Sequence, residues 1–142
     1  MNSPQRLCTF HVSGLYFGVD VLSVQEVIRY QEMTRVPLAS AMVSGLINLR
    51  GQIVTAIDLR RRLGLTDREP DQMPMNVVVR SDDGAVSLLV DEIGDVLEVD
   101  ESTYERPPET LTGAAREVVR GVHKLKGTLL LVLDTAAAVT VS

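Results

Sequence analysis

Two aspartates are the first residues of this 142-residue chain whose type and setting suggest chemistry. Asp58 closes the apolar run Ile53–Ile57, and Asp134 closes Leu129–Leu133. One carboxylate from each half of a pseudo-twofold β protein is how aspartic hydrolases share a proton between two acids. Asp134-Thr135-Ala136 resembles half of the loop such a site needs. Its counterpart, Asp58-Leu59-Arg60, lacks the hydroxyl and the glycine, and a leucine donates no hydrogen bond to hold a dyad. Each aspartate is therefore expected to cap the short helix after it. His11 and His123 fall in expected strands with no His or Cys at ligand spacing, so no metal site is expected. Cys8 is the one cysteine. It excludes an intramolecular disulfide and reads as a small buried hydrophobe. Nucleophile-elbow, phosphate-loop and dinucleotide motifs are absent. The residues imply neither an enzyme nor a cofactor.

Arginines offer a different chemistry. Arg50 lies between two apolar strands, directly before Gly51. A guanidinium there is held either by water or by a carboxylate. Glu26, expected on a helix of the same half, is the candidate for a charge-assisted pair. Arg60-Arg61-Arg62 reads as a solvated helix face.

The elements that must position these groups are short. Residues 7–12 and 15–19 alternate around Ser13-Gly14 as a hairpin would. Asp20 can cap a helix over residues 21–27. Residues 45–49 and 53–57 flank Arg50-Gly51 as a second hairpin, followed by a helical turn over 59–63. Residues 66–74 are a polar connector. Residues 75–80 and 85–90 flank the loop 81–84. Residues 100–115 read as a long polar loop, 118–125 and 128–133 as a last hairpin, and 135–139 as a short helix. Many short strands with turn signals between them imply a mainly β fold. The chain also repeats itself. Shifted by 76 residues, Val43–Asp58 lies on Val119–Asp134 without a gap. A weaker match shifted by 71 lays Val19-Asp20 on Val90-Asp91. The expectation is a single domain, residues 1–142, of two similar lobes at roughly 15–70 and 75–142 with the first strand shared. Two such lobes stabilise each other and leave a groove between them.

Composition narrows the partners. The chain is 45% hydrophobic and 23% charged, which suits a folded domain. Its net charge is −5, divided as +2 over residues 1–70 and −7 over 71–142. That balance argues against nucleic acid, which needs a concentrated basic surface. The longest aliphatic run, Leu129–Leu133, is far short of the ~20 residues of a membrane span. The first residues carry no apolar signal region. A cytoplasmic location without membrane insertion is expected.

Tyr16-Phe17-Gly18-Val19-Asp20, Val24-Gln25-Glu26-Val27, Arg35-Val36-Pro37, Gly45-Leu46-Ile47-Asn48-Leu49-Arg50-Gly51 and Ile57-Asp58-Leu59-Arg60 stand in that order. Together they resemble the CheW family of chemotaxis coupling proteins. The resemblance implies two intertwined five-stranded SH3-like β-barrels with short helices. It implies a non-catalytic adaptor that couples methyl-accepting chemoreceptors to the histidine kinase CheA, recruited to membrane receptor arrays. Receptor tips would dock in a hydrophobic groove between the lobes, and the regulatory domain of the kinase would pack end to end on a lobe. Val24, Glu26, Val27, Gly45 and Arg50 fall on family positions that touch these partners or support those that do. The resemblance also favours the Glu26–Arg50 pair. The alternative is a CheW-like module of another motility or signalling receptor–kinase array. Thr55-Ala56, where the family often has a proline, and Lys124-Leu125-Lys126-Gly127 depart from the pattern.

Overall fold

The structure is a computed structural model, and it describes residues 4–82 and 84–140. Residues 1–3, part of the expected domain and of the start read for a signal region, lie outside the described residues, as does Asp83 of the expected 81–84 loop.

The chain opens with β1 (Gln5–Val12) and β2 (Leu15–Asp20), joined through Ser13 and Gly14, both at positive φ. Phe10, Val12, Phe17 and Val19 point inward and are fully buried. Asp20 does act as a cap, its Oδ1 accepting from the Leu22 amide at 2.9 Å. The cap starts only a 3-10 turn, Val21–Ser23, and the chain then runs as strand β3 (Val24–Ile28). The helix expected over 21–27 is therefore wrong. Its β-branched residues suit a strand, and the ladder to a later strand satisfies the backbone that a helix would have satisfied internally.

The next hairpin is β4 (Val43–Leu49) and β5 (Gln52–Asp58). Arg50 and Gly51 both have positive φ, the requirement of a two-residue turn that matches strand twist. The Gly51 amide also donates to Asn48 Oδ1 at 2.9 Å. After it come α1 (Leu59–Arg62), β6 (Met75–Ser81), β7 (Gly84–Val90) and β8 (Glu92–Val99). The chain finishes with β9 (Tyr104–Glu105), α2 (Gly113–Val118), β10 (Val119–Leu125), β11 (Thr128–Leu133) and α3 (Thr135–Val139). β8 and β9 are strands that the sequence pattern did not single out.

The strands form two mixed sheets. One has the order β3-β6-β7-β5-β4, the other β8-β1-β2-β11-β10-β9. Without the two-residue β9, the two orders are the same under the internal repeat. The 76-residue shift lays β4-β5-α1 on β10-β11-α3, and the 71-residue shift lays β3 on β8. Each sheet has one parallel pair, β5 with β7 and β2 with β11. The sheets do not follow the sequential halves at 15–70 and 75–142. β6 and β7 join the strands before the connector, while β1 and β2 cross over to the strands of the chain's last third. The intertwining is thus an exchange of hairpins.

The central strands of each sheet are buried on both faces. Val77 and Val79 enter a large core shared with Phe10, Phe17, Leu131 and Leu133. Val78, between them, enters a second cluster with Ile47, Val54 and Leu89 inside the five-stranded sheet. Leu130 and Val132 of β11 do the same in the other sheet, with Leu7 and Val99. Alternate residues of one strand facing different cores show both sheets curling on themselves.

Charge follows the sheets more sharply than the halves. Residues 21–90 hold eight basic and eight acidic side chains. The whole net charge of −5 falls in the segments before and after them.

Candidate functional site

β3 and β4 are the two edges of the five-stranded sheet, yet residues from them meet. Arg50 Nη2, at the tip of the β4–β5 turn, donates to Glu26 Oε2 on β3. The Arg50 guanidinium holds the Glu26 carboxyl below the usual carboxylate range. Its own side chain stays 72% exposed, so the pair is clamped at one end and open to solvent at the other. A second stitch lies below it. Thr34 exchanges two backbone hydrogen bonds with Leu46, at 2.9 and 2.8 Å. A Cβ at Gly45 would stand 2.6 Å from the Thr34 carbonyl oxygen, so only glycine lets this segment approach. Glu26, Gly45 and Arg50 thus share one task, closing the edges of a curled sheet. Val24 packs against the shared core from the same strand. Val27 faces outward and is exposed. Ile53, at the start of β5, is also exposed and lines a cleft with Met33, Leu46 and Asn48.

A groove lies between the β6–β7 hairpin and α3. Val86, Ala136 and Val139 line it beside Arg80 and Asp82. Its lining is amphipathic.

Sequence reasoning missed a largely buried ion cluster that ties the sheets together. Asp91, between β7 and β8, accepts from Arg60 Nε at 3.0 Å, Arg60 Nη2 at 2.7 Å and Arg68 Nε at 2.8 Å. It also accepts from the Ser13 amide of the β1–β2 turn at 2.6 Å. Arg68 Nη1 reaches Asp58 at 3.0 Å. Burial alone would push the Asp91 acid up. The Arg60 and Ser13 hydrogen bonds and the Arg68 charge outweigh it and hold the carboxyl below the usual range. The solvated face expected for Arg60-Arg61-Arg62 is accordingly wrong. Only Arg61 is well exposed, and it pairs with Asp67 at 3.1 Å. Arg62 is buried and donates to the Ala137 carbonyl at 3.0 Å. The available signal was the acid after each apolar strand; Asp58 was read as a cap alone, and Asp91 only as part of the repeat.

The remaining chemical candidates are engaged locally. Asp58 caps α1 through the Arg60 amide at 3.0 Å, and Asp134 caps α3 through the Ala137 amide at 3.1 Å. No hydrogen bond joins the two aspartates among the described residues. His11 stacks on Tyr16 at 4.7 Å, and His123 is buried in β10. Burial, and then the charge of Asp20, push the Cys8 thiol up, away from the thiolate a nucleophile requires. Among the described residues no group of three His, Cys, Asp or Glu side chains is placed to hold a metal ion. No helix among the described residues is long and apolar enough to cross a membrane.

The site thus belongs to a pair of curled sheets of one strand order that share a core and display a clamped hairpin. The family model "CheW-like domain" matches residues 6–141. Chemotaxis protein CheW of Bacillus subtilis (strain 168) is 31% identical over 96% of this chain and 88% of that protein. Chemotaxis protein CheW of Treponema pallidum (strain Nichols) is 29% identical over 91% and 78%. The crystal structure of the scaffolding protein TtCheW from Thermoanaerobacter tengcongensis superposes with a TM-score of 0.88 at 26% identity, covering 99% of this chain and 95% of that one. The chain belongs to the CheW-like family.

Proposed function

We propose that this chain is a non-catalytic adaptor of chemotaxis-type signalling that couples methyl-accepting chemoreceptors to the histidine kinase CheA by binding both. The observation that carries this reading is the likeness, over nearly the whole chain, to chemotaxis proteins named CheW. The geometry supports it. Exposed Val27, the free face of Arg50 and the amphipathic groove are surfaces a receptor's helical tip can use, its apolar stripe against Val86 and Val139. The kinase's regulatory domain, of related fold, packs end to end on a sheet. The protein then resides in the cytoplasm and reaches membrane arrays through the receptors. Val24 and Gly45 support the contact surface, while Glu26, Val27 and Arg50 form it.

Calorimetric titration against a CheA regulatory domain and a receptor cytoplasmic fragment tests the proposal. Both bind, and neither displaces the other. Arg50→Glu sets two carboxylates against each other at the clamp, and it weakens binding while the protein stays folded. Binding to neither partner overturns the proposal. Capture of a receptor–kinase pair from another motility system would assign the chain to that system instead.

A further inference from the structure

His123 lies away from the clamp and the groove, yet it is only 1% exposed. It sits in β10 opposite Leu130 of β11 on one side and Tyr104 of β9 on the other. The 3-10 turn Glu101–Thr103 and β9 lie across this edge of the sheet as a flap. Thr103 Oγ1 is 2.8 Å from His123 Nδ1 and 2.9 Å from the Asp100 carbonyl oxygen. A hydroxyl has one proton. Both contacts are satisfied together when Thr103 donates to Asp100 and His123 Nδ1–H donates to Thr103. Nε2 is then a bare lone pair, and it is buried with no hydrogen-bond partner. Tyr104 fixes the flap. Its ring lies 5.3 Å from the imidazole, and its hydroxyl donates to the Arg120 carbonyl at 2.8 Å. It also fills the space that a Cβ at Gly121 would enter, 2.2 Å away. His123 and Tyr104 border a cleft of about 250 Å³ together with Gln5, Glu101, Arg120 and Val132.

The geometry points to a protonation-sensitive latch: the flap closes over neutral His123 alone, and acidification releases residues 100–105 from β10. A proton on Nε2 would create a buried donor on a buried cation with no acceptor, which is costly. With the flap closed, none of the surrounding groups of the described residues hydrogen-bonds Nε2. Glu101 comes from the 3-10 turn, and Tyr104 and Glu105 from β9. Glu105 is taken by Lys124 at 3.2 Å. Arg120 and Lys124 of β10 are cations, and Gln5, Leu130 and Val132 do not titrate. Burial accordingly pushes the imidazole below its ordinary value. The open flap lets His123 take a proton that the closed flap refuses, so closure is favoured above the ordinary imidazole range and is lost as pH falls below it. Opening strips β10 of its β9 partner and leaves a free sheet edge at Val122 and His123.

Hydrogen exchange of the flap amides in the intact protein, corrected for intrinsic pH dependence, tests this. With an ordinary imidazole pKa of ~6.5 in the open form, the opening constant rises roughly tenfold between pH 7.5 and 5.5. His123→Leu removes that rise. An exchange profile without the rise, or the same rise in His123→Leu, overturns the latch. Should that variant fail to fold, NMR titration of the imidazole nitrogens in the unaltered chain decides. Protonation of His123 in step with flap exchange upholds the latch, and protonation with the flap amides still protected overturns it.

Discussion

Asp91→Asn removes one charge from the cluster that joins the two sheets. Arg60 and Arg68 face Asp58 and Asp91 there, so the cluster is neutral, with side chains 8–13% exposed. The asparagine keeps one oxygen but turns an amide NH₂ toward guanidinium donors. One cation is left uncompensated in a partly buried site. Breaking a buried pair in this way costs ~3–5 kcal/mol, against ~0–1 for a solvated pair. The expected loss is about 3 kcal/mol, a large share of a typical ~5–15 kcal/mol of stability. At about 3 °C per kcal/mol for a chain of this length, the melting midpoint falls by about 10 °C. Urea denaturation at pH 7 measures the loss directly, with Asp67→Asn as the exposed comparison at under ~1 kcal/mol. The pH dependence has a defined sign. The Asp91 carboxyl is held below its ordinary value when folded. Its contribution is complete above the unfolded carboxylate range of ~3.9 and fades as pH falls through the folded value. Asp91→Asn should flatten that acid limb. A loss below ~1 kcal/mol, or an unchanged acid limb, would refute the view that the cluster acts as a buried cross-link.

Two further perturbations probe the packing. Gly45→Ala drives a methyl group into the Thr34 carbonyl, and since that contact is backbone, the cost is ~1–3 kcal/mol, read from the urea midpoint. Phe17→Ala empties a fully buried site in the shared core and costs ~3–5 kcal/mol with a single cooperative transition, because both sheets line that core.

What the sequence revealed was local. Ser13-Gly14, Arg50-Gly51 and Lys126-Gly127 are positions where chain reversal demands particular backbone angles, and each hairpin forms there. The repeat was visible because equivalent places in the two sheets make similar demands: Gly45 and Gly121 each admit a close neighbour, and Asp58 and Asp134 each cap a helix. β3 and β8 were illegible. Val21–Val27 satisfies helix and strand patterns alike, and the choice is made by β6, some fifty residues later, offering a ladder. The exchange of β1–β2 between halves left no local mark either, since a parallel contact such as Tyr16 with Leu130 uses no turn. The Glu26–Arg50 contact was readable from charge type and family likeness, although its setting was not. It bridges two sheet edges instead of pinning a hairpin to a helix. The burial of Arg60 and Arg62 was hidden because a basic triplet looks the same wet or dry until its acids are located.

The hairpin exchange has a consequence for birth of the chain on the ribosome. Residues 24–90 contain every strand of the five-stranded sheet, so that sheet can assemble as soon as β7 has emerged. The first hairpin, made before any of it, has no lasting neighbours until β8, β10 and β11 are synthesised. Phe10 and Phe17 must wait with it, shielded only by the partial core that β6 and β7 supply. Protease protection of stalled nascent chains should accordingly appear in the middle of the polypeptide first and at residues 5–20 last. β11, inserting beside β2, is the strand that joins the first hairpin to β10 and completes the six-stranded sheet.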